Sequence, residues 1–221
     1  LLDWLALQLI ANDWSLKHIH SLILSSYTYQ QSSDSHEANA LADPENAYFW
    51  RFSPRRLEAE AIRDSILQAT AQLDETMFGK GTLDESMRRR SIYFTVKRSK
   101  LVPMLQVFDV PEPLVSQGQR PTTTVAPQAL LLLNNPHLRK CCEDSATQLI
   151  KNNIEDHAMI NLFYQRSLSR QPNQSEAQKA AGFLVSQTAS YKQSGVTDAK
   201  VQATADLIQL MLCLNEFCYI Y

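Results

Sequence analysis

Hydrophobic residues recur at helical spacing along most of the chain, with polar residues between them. In the first ten residues Leu1, Leu5 and Leu9 share one helical face, and Ser15 can cap a second helix that follows. Ser53-Pro54 has the composition of another helix start, with the helix running to about residue 73. Further helices are predicted at 128–133, 137–151 and 155–168, and two more begin at about 173 and 198. Asn173 and Glu176 have the spacing of a capping box at the first of these two starts. The pattern therefore predicts a mainly α-helical protein.

The stretch 90–136 breaks this pattern. It contains more than half of the nine prolines, and each proline disfavours helix at the residue before it. Ile92, Phe94 and Val96 alternate with polar neighbours, which predicts a short half-buried strand. We therefore expect several helices, packed orthogonally or as a bundle, around a central irregular Pro-rich segment with at most one short strand pair.

Two parts are predicted along the chain. Residues 1–136 form an amino-terminal helical part that includes the irregular segment, and residues 137–221 form a carboxy-terminal helical lobe packed on it as one domain. The sequence opens at Leu1, without Met and within a helical pattern, so we expect an upstream part of the same polypeptide. That part would cover an otherwise exposed apolar face at Leu1, Leu5 and Leu9.

Composition excludes several function classes. A net charge of −2 gives no basic field for nucleic acid. No apolar run reaches the length of about 18–20 residues that a membrane span needs. Cys141, Cys142, Cys213 and Cys218 form no CxxC pair, so no metal site is predicted. We interpret these cysteines as small buried apolar residues. The alternative is a disulfide bond between the region of Cys141 and Cys142 and the region of Cys213 and Cys218.

No known catalytic motif occurs in the sequence. The best candidate site is therefore the group of polar side chains in the irregular segment. Its polar residues are Asp109, Glu112, Arg120, Thr124 and Gln128. One interpretation is structural: Asp109 and Arg120 fix the irregular backbone by charge-assisted hydrogen bonds, and the guanidinium of Arg120 suits binding carbonyls and a carboxylate together. The other places Asp109 opposite a helix-borne carboxylate such as Glu60 for acid/base chemistry, as in glycoside hydrolysis.

The charges that follow Ser53-Pro54 have helical spacing. Arg56, Glu60 and Asp64 lie at successive i, i+4 positions of the predicted helix. Such a ladder is typical of a solvated helix face, and its pairs are individually weak.

Motifs spread over nearly the whole sequence resemble a known family. They are LLDWLA at 1–6, WSLK at 14–17, SSYTYQQSS at 25–33, WRF at 50–52, RRLEAEAIRD at 55–64, RRSIY at 89–93, FDVP at 108–111, Arg120, TVAPQAL at 124–130, LNNP at 133–136 and NEF at 215–217. In order and spacing they resemble the planctomycete-type domain of unknown function 1553.

The resemblance implies an exported protein, located in the periplasm or at the cell surface, that handles complex polysaccharides. Members often begin with a cytochrome-c-like module, so haem is expected only upstream and no cofactor is expected in this chain. Two hypotheses follow. The chain is a structural or interaction module that binds glycan through Trp14, Tyr29, Trp50 and neighbouring aromatic residues, or it is part of a carbohydrate-active hydrolase that uses carboxylates.

Overall fold

The structure, a computed structural model, describes residues 1–114 and 116–221 and is mainly helical, as predicted. The elements in chain order are α1 Leu2–Ala11, α2 Leu16–Leu24, α3 Glu37–Ala42, β1 Arg55–Arg56, α4 Ala59–Ala69, a 3₁₀ helix Ser91–Tyr93, α5 Pro103–Val107, α6 Ala126–Asn134, α7 Pro136–Lys151, α8 Asp156–Leu168, α9 Gln174–Gln193, α10 Ala199–Leu212, α11 Asn215–Cys218 and β2 Tyr219–Ile220. Strands β1 and β2 pair with each other.

The chain forms two compact units. The first comprises Leu1–Arg55 with Ile220–Tyr221, and the second comprises Arg56–Tyr219. The predicted division near residue 136 lies inside the second unit, where α6 and α7 both contact α10.

The first unit has little buried surface. Helix α1 packs against α2, and Ser15 caps α2 as predicted by accepting a hydrogen bond from the backbone N–H of His18 at 3.3 Å. No residue of α1, α2 or α3 is buried. Leu1 is exposed, whereas Leu5 and Leu9 are half-buried.

The second unit has an apolar core at the centre of its helices. Helix α10 contacts α7, α8 and α9, which accounts for the many small and apolar residues around its whole circumference. The fully buried core side chains include Phe163, Leu184 and Ile208. The predicted capping box at the start of α9 is confirmed: the Asn173 side chain accepts from the backbone N–H of Glu176, whose carboxylate accepts from the backbone N–H of Asn173.

The predicted helix start at Ser53-Pro54 is wrong. The side chain of Ser53 accepts a hydrogen bond from the Asn46 side-chain amide at 3.0 Å, and it does not cap a helix. The next residues, Arg55–Arg56, are extended as β1, and the helix begins only at Ala59. Arg56 therefore precedes α4, so the predicted ladder of Arg56 with Glu60 and Asp64 does not form.

The predicted strand at Ile92, Phe94 and Val96 is also wrong. Asp64 accepts hydrogen bonds at 2.7 Å from both the backbone N–H and the hydroxyl of Ser91, and a 3₁₀ turn follows. Ile92 and Val96 are exposed. The one two-stranded sheet among the described residues pairs β1 with β2, outside the central segment.

Candidate functional site

Arg56 is the residue that fixes the irregular segment. Its side chain is 4% exposed and donates from Nη2 to the Asp109 carboxylate at 2.7 Å and to the Phe108 carbonyl at 3.1 Å. Its Nη1 donates to the Thr123 carbonyl at 2.7 Å. One planar guanidinium therefore connects the backbone at Phe108 and Asp109 with the backbone at Thr123. A lysine ammonium is a compact point charge and lacks this fork of donors. We call Arg56, Asp109 and Thr123 the central clamp.

Asp109 is held from two directions. Beside the Arg56 contact, its carboxylate accepts from the Thr123 backbone N–H at 2.8 Å and from the Thr123 hydroxyl at 2.9 Å. Burial alone would raise the pKa of Asp109, but the hydrogen bonds from Thr123 and Arg56 outweigh it and hold the pKa below its ordinary value. The residue has a backbone φ of +65°, a conformation that aspartate tolerates better than most residues. The hydrogen bonds from Thr123 and Arg56 thus keep the Asp109 carboxylate ionised.

Gln128 and Thr124 extend this network. Gln128 is buried, and its amide donates to the Val107 carbonyl at 3.1 Å and to the Thr123 carbonyl at 3.2 Å, joining the end of α5 to the start of α6. The hydroxyl of Thr124 lies 2.8 Å from the hydroxyl of Tyr219. Gln128 thus satisfies carbonyls of the irregular backbone, whereas Thr124 contacts a side chain near the carboxy-terminal end of the chain.

Arg120, the predicted clamp residue, pairs with carboxylates near the start of α4. Its side chain is 42% exposed and contacts Glu60 at 2.8 Å and Glu58 at 3.0 Å. The hydrogen bond to Glu60 is the main reason that the pKa of Arg120 is raised. The sequence does not identify Arg56 as a clamp residue. Its helical spacing to Glu60 and Asp64 indicates a row of charges on a solvated helix face instead.

The space beside the central clamp is small. A recess of about 30 Å³ lies between Arg56, Asp109 and Arg120. That volume holds roughly two waters, at about 10–15 Å³ for each. Asp109 and Glu60 are each bound by an arginine, and Glu112 is exposed to solvent. The clamp thus has the character of a structural element.

The predicted glycan-binding aromatics lie in the first unit. Trp14 is 69% exposed and Tyr29 is 54% exposed. Trp50 is half-buried; its indole N–H donates to the Asp43 carbonyl at 2.9 Å, and the guanidinium of Arg51 lies 5.0 Å from its ring centre. The other exposed aromatic residues between positions 14 and 50 are Tyr27, Tyr48 and Phe49.

The four cysteines are free thiols. Cys141, Cys142 and Cys218 are buried and Cys213 is half-buried. Burial raises the pKa of Cys142, and it raises that of Cys218 to about 11. Among residues 1–114 and 116–221, no three His, Cys, Asp or Glu side chains are grouped as ligands of one metal ion. None of the described helices has the length and apolar content of a membrane span.

Comparison with known families gives a match over most of the chain. A family described as "Protein of unknown function (DUF1553)" has a sequence model that matches residues 1–184. The chain belongs to this family. The match includes the central clamp, Arg120 and the aromatic residues of the first unit, and it ends within α9. No curated protein and no solved structure matches the chain.

Proposed function

We propose that this chain is a non-catalytic interaction module that binds polysaccharide through the exposed aromatic residues of its first unit. The observation that carries the proposal is the exposure of Trp14, Tyr27, Tyr29 and Tyr48 in a segment with almost no buried core. Exposed aromatic rings present an apolar face with, in Tyr and Trp, a polar group at the edge. That combination suits the alternating C–H and hydroxyl surfaces of a sugar ring.

The geometry of the acidic residues favours binding over hydrolysis. A glycosidase needs two carboxylates on either side of a space that admits the sugar. Asp109 and Glu60 are instead each engaged by an arginine beside a recess of about 30 Å³. No observation specifically favours the hydrolase hypothesis.

The setting of the module is part of the same proposal. The family resemblance supports an exported protein in the periplasm or at the cell surface, with an amino-terminal part of the same polypeptide as its partner. Haem would belong to that upstream part.

Binding is tested with the intact chain on a glycan array, followed by titration of the best polysaccharide. Trp14→Ala and Tyr29→Ala should each weaken binding by about two- to tenfold, the range that one aromatic contact contributes. Phe78→Ala is the matched control, since it removes an exposed aromatic side chain from the second unit. Binding to no polysaccharide, or equal loss in the control, would contradict the proposal.

A further inference from the structure

A second concave feature of the Arg56–Tyr219 unit lies between α4, the start of α5 and the start of α7. It has a volume of about 80 Å³. Its buried apolar wall includes Ile66, Leu67, Val102, Leu138 and Cys141. We call this feature the α4–α7 cavity. It shares no lining residue with the recess beside the central clamp.

The size and walls of the cavity define what fits inside. At about 10–15 Å³ for each water, the volume corresponds to roughly five to eight water-sized positions. Most of the surface area that lines the cavity is apolar, so water there would find few hydrogen-bond partners. Arg63, the one buried cation of the lining, already donates to the carbonyls of Met87 and Arg89 and to the hydroxyl of Ser91. The interior therefore suits a short alkyl group.

The lining is positively charged overall. The lining contains three cationic side chains, Arg63, Arg88 and Lys140, and one carboxylate, that of Glu85. Arg63 lies 3.7 Å from a further carboxylate, that of Asp64. Outside the lining, Arg88 and Lys140 share the carboxylate of Asp144, at 2.5 and 3.0 Å, and Arg88 also donates to the side-chain oxygen of Gln72. Two cations that share one carboxylate leave positive charge at the opening of the cavity.

The first turn of α7 adds to this field. The cavity lining includes Asn135, His137 and Leu138, which lie at the amino-terminal end of this 16-residue helix. The positive end of a helix dipole favours an anion nearby, although the backbone N–H groups of His137 and Leu138 are already capped by Asn135. A ligand with an apolar tail and a negative head is therefore favoured over a neutral or cationic one.

We propose that the α4–α7 cavity binds a short-chain monocarboxylate, with the alkyl tail against Ile66, Leu67 and Leu138 and the carboxylate at Lys140 and Arg88. Because Asp144 competes for these two cations, most of the affinity comes from burial of the tail. This site is independent of the proposed polysaccharide-binding surface.

The first test is calorimetric titration of the intact chain with straight-chain carboxylates from acetate to octanoate and with primary alcohols of the same lengths. Affinity should rise by about fourfold for each added methylene, and the rise should stop when the cavity is full. Each alcohol should bind more weakly than the acid of equal length. A series without length dependence would overturn the site, and alcohols that bind as well as acids would overturn the charged head.

The second test uses two variants of α7. Lys140→Gln should weaken binding of the best carboxylate by about two- to fivefold, as expected for one exposed charge pair. Lys151→Gln is the matched control: it makes the same change at the last residue of the helix, outside the lining. Equal effects of the two changes would contradict a carboxylate at Lys140.

A thiol-protection measurement reports the location of the ligand directly. The best carboxylate should slow alkylation of Cys141, which lines the cavity, and leave Cys213, which does not, unchanged. Peptide mass spectrometry resolves the two rates. Protection of both cysteines or of neither would place the ligand elsewhere.

Discussion

The central clamp predicts that Arg56 contributes far more to stability than Arg120 does. Arg56→Ala removes three hydrogen bonds, those to the Asp109 carboxylate and to the carbonyls of Phe108 and Thr123, and the Thr123 carbonyl keeps only the amide of Gln128. Breaking a buried ion pair costs about 3–5 kcal/mol. Because Thr123 still donates twice to Asp109, we expect the lower end, about 3 kcal/mol.

The substitution Arg56→Lys separates geometry from charge. A lysine can reach one acceptor of the clamp, but it cannot bind the Asp109 carboxylate and two carbonyls from one rigid plane. We therefore expect a loss of about 2 kcal/mol, close to that of alanine. At about 2–4 °C per kcal/mol for a chain of this size, Tm should fall by about 6–12 °C in Arg56→Ala and by about 4–8 °C in Arg56→Lys.

Arg120→Ala is the matched control. Its contacts with Glu58 and Glu60 are exposed, so we expect a loss below about 1 kcal/mol. Melting curves of the three variants and wild type, followed by circular dichroism and calorimetry, measure these differences. A wild-type Tm for Arg56→Lys, or equal losses for Arg120→Ala and Arg56→Ala, would refute the account of the clamp.

Three other outcomes are expected. Hydrogen bonds from Arg170 lower the pKa of Glu176 from 4.5 to about 2, so its stabilising contribution is present above pH 4.5 and is lost as the pH falls toward 2. Urea midpoints across this range should therefore fall less steeply in Glu176→Gln than in wild type, and parallel curves would contradict the assignment. The pKa of Asp109 is also lowered, so the stability that its carboxylate contributes is lost as the pH falls. The difference in free energy of unfolding between wild type and Asp109→Asn should therefore narrow below about pH 4. Iodoacetamide at pH 8 should modify Cys213 before Cys142, because Cys142 has no exposed surface and burial raises its pKa; mass spectrometry showing the reverse order would contradict the core packing.

Local signals explain most of what the sequence predicted correctly. The Asn173 capping box and Ser15 act on backbone groups three residues away, so spacing alone identifies the helix starts. Pro136 at the first position of α7 is another such signal. Apolar periodicity likewise located α7, α8 and α10, because each buries one or more faces in a single core.

The errors involve contacts between distant residues. Arg56 lies 53 positions from Asp109, and nothing near Arg56 in the sequence distinguishes it from Arg120 as a partner. Asp64 similarly binds Ser91 across 27 positions and turns a stretch with strand-like alternation into a 3₁₀ helix. The α4–α7 cavity also could not be predicted, because its lining comes from four separate stretches of sequence.

Polysaccharide binding without cleavage is the central claim, and one measurement on the intact chain tests it. The chain is incubated with a panel of soluble polysaccharides, and both the bound fraction and the reducing ends released are measured in the same samples. The account predicts binding to at least one polysaccharide, weakened by Trp14→Ala, with no release of reducing ends. Release that is abolished by Asp109→Asn, or the absence of binding across the panel, would contradict it.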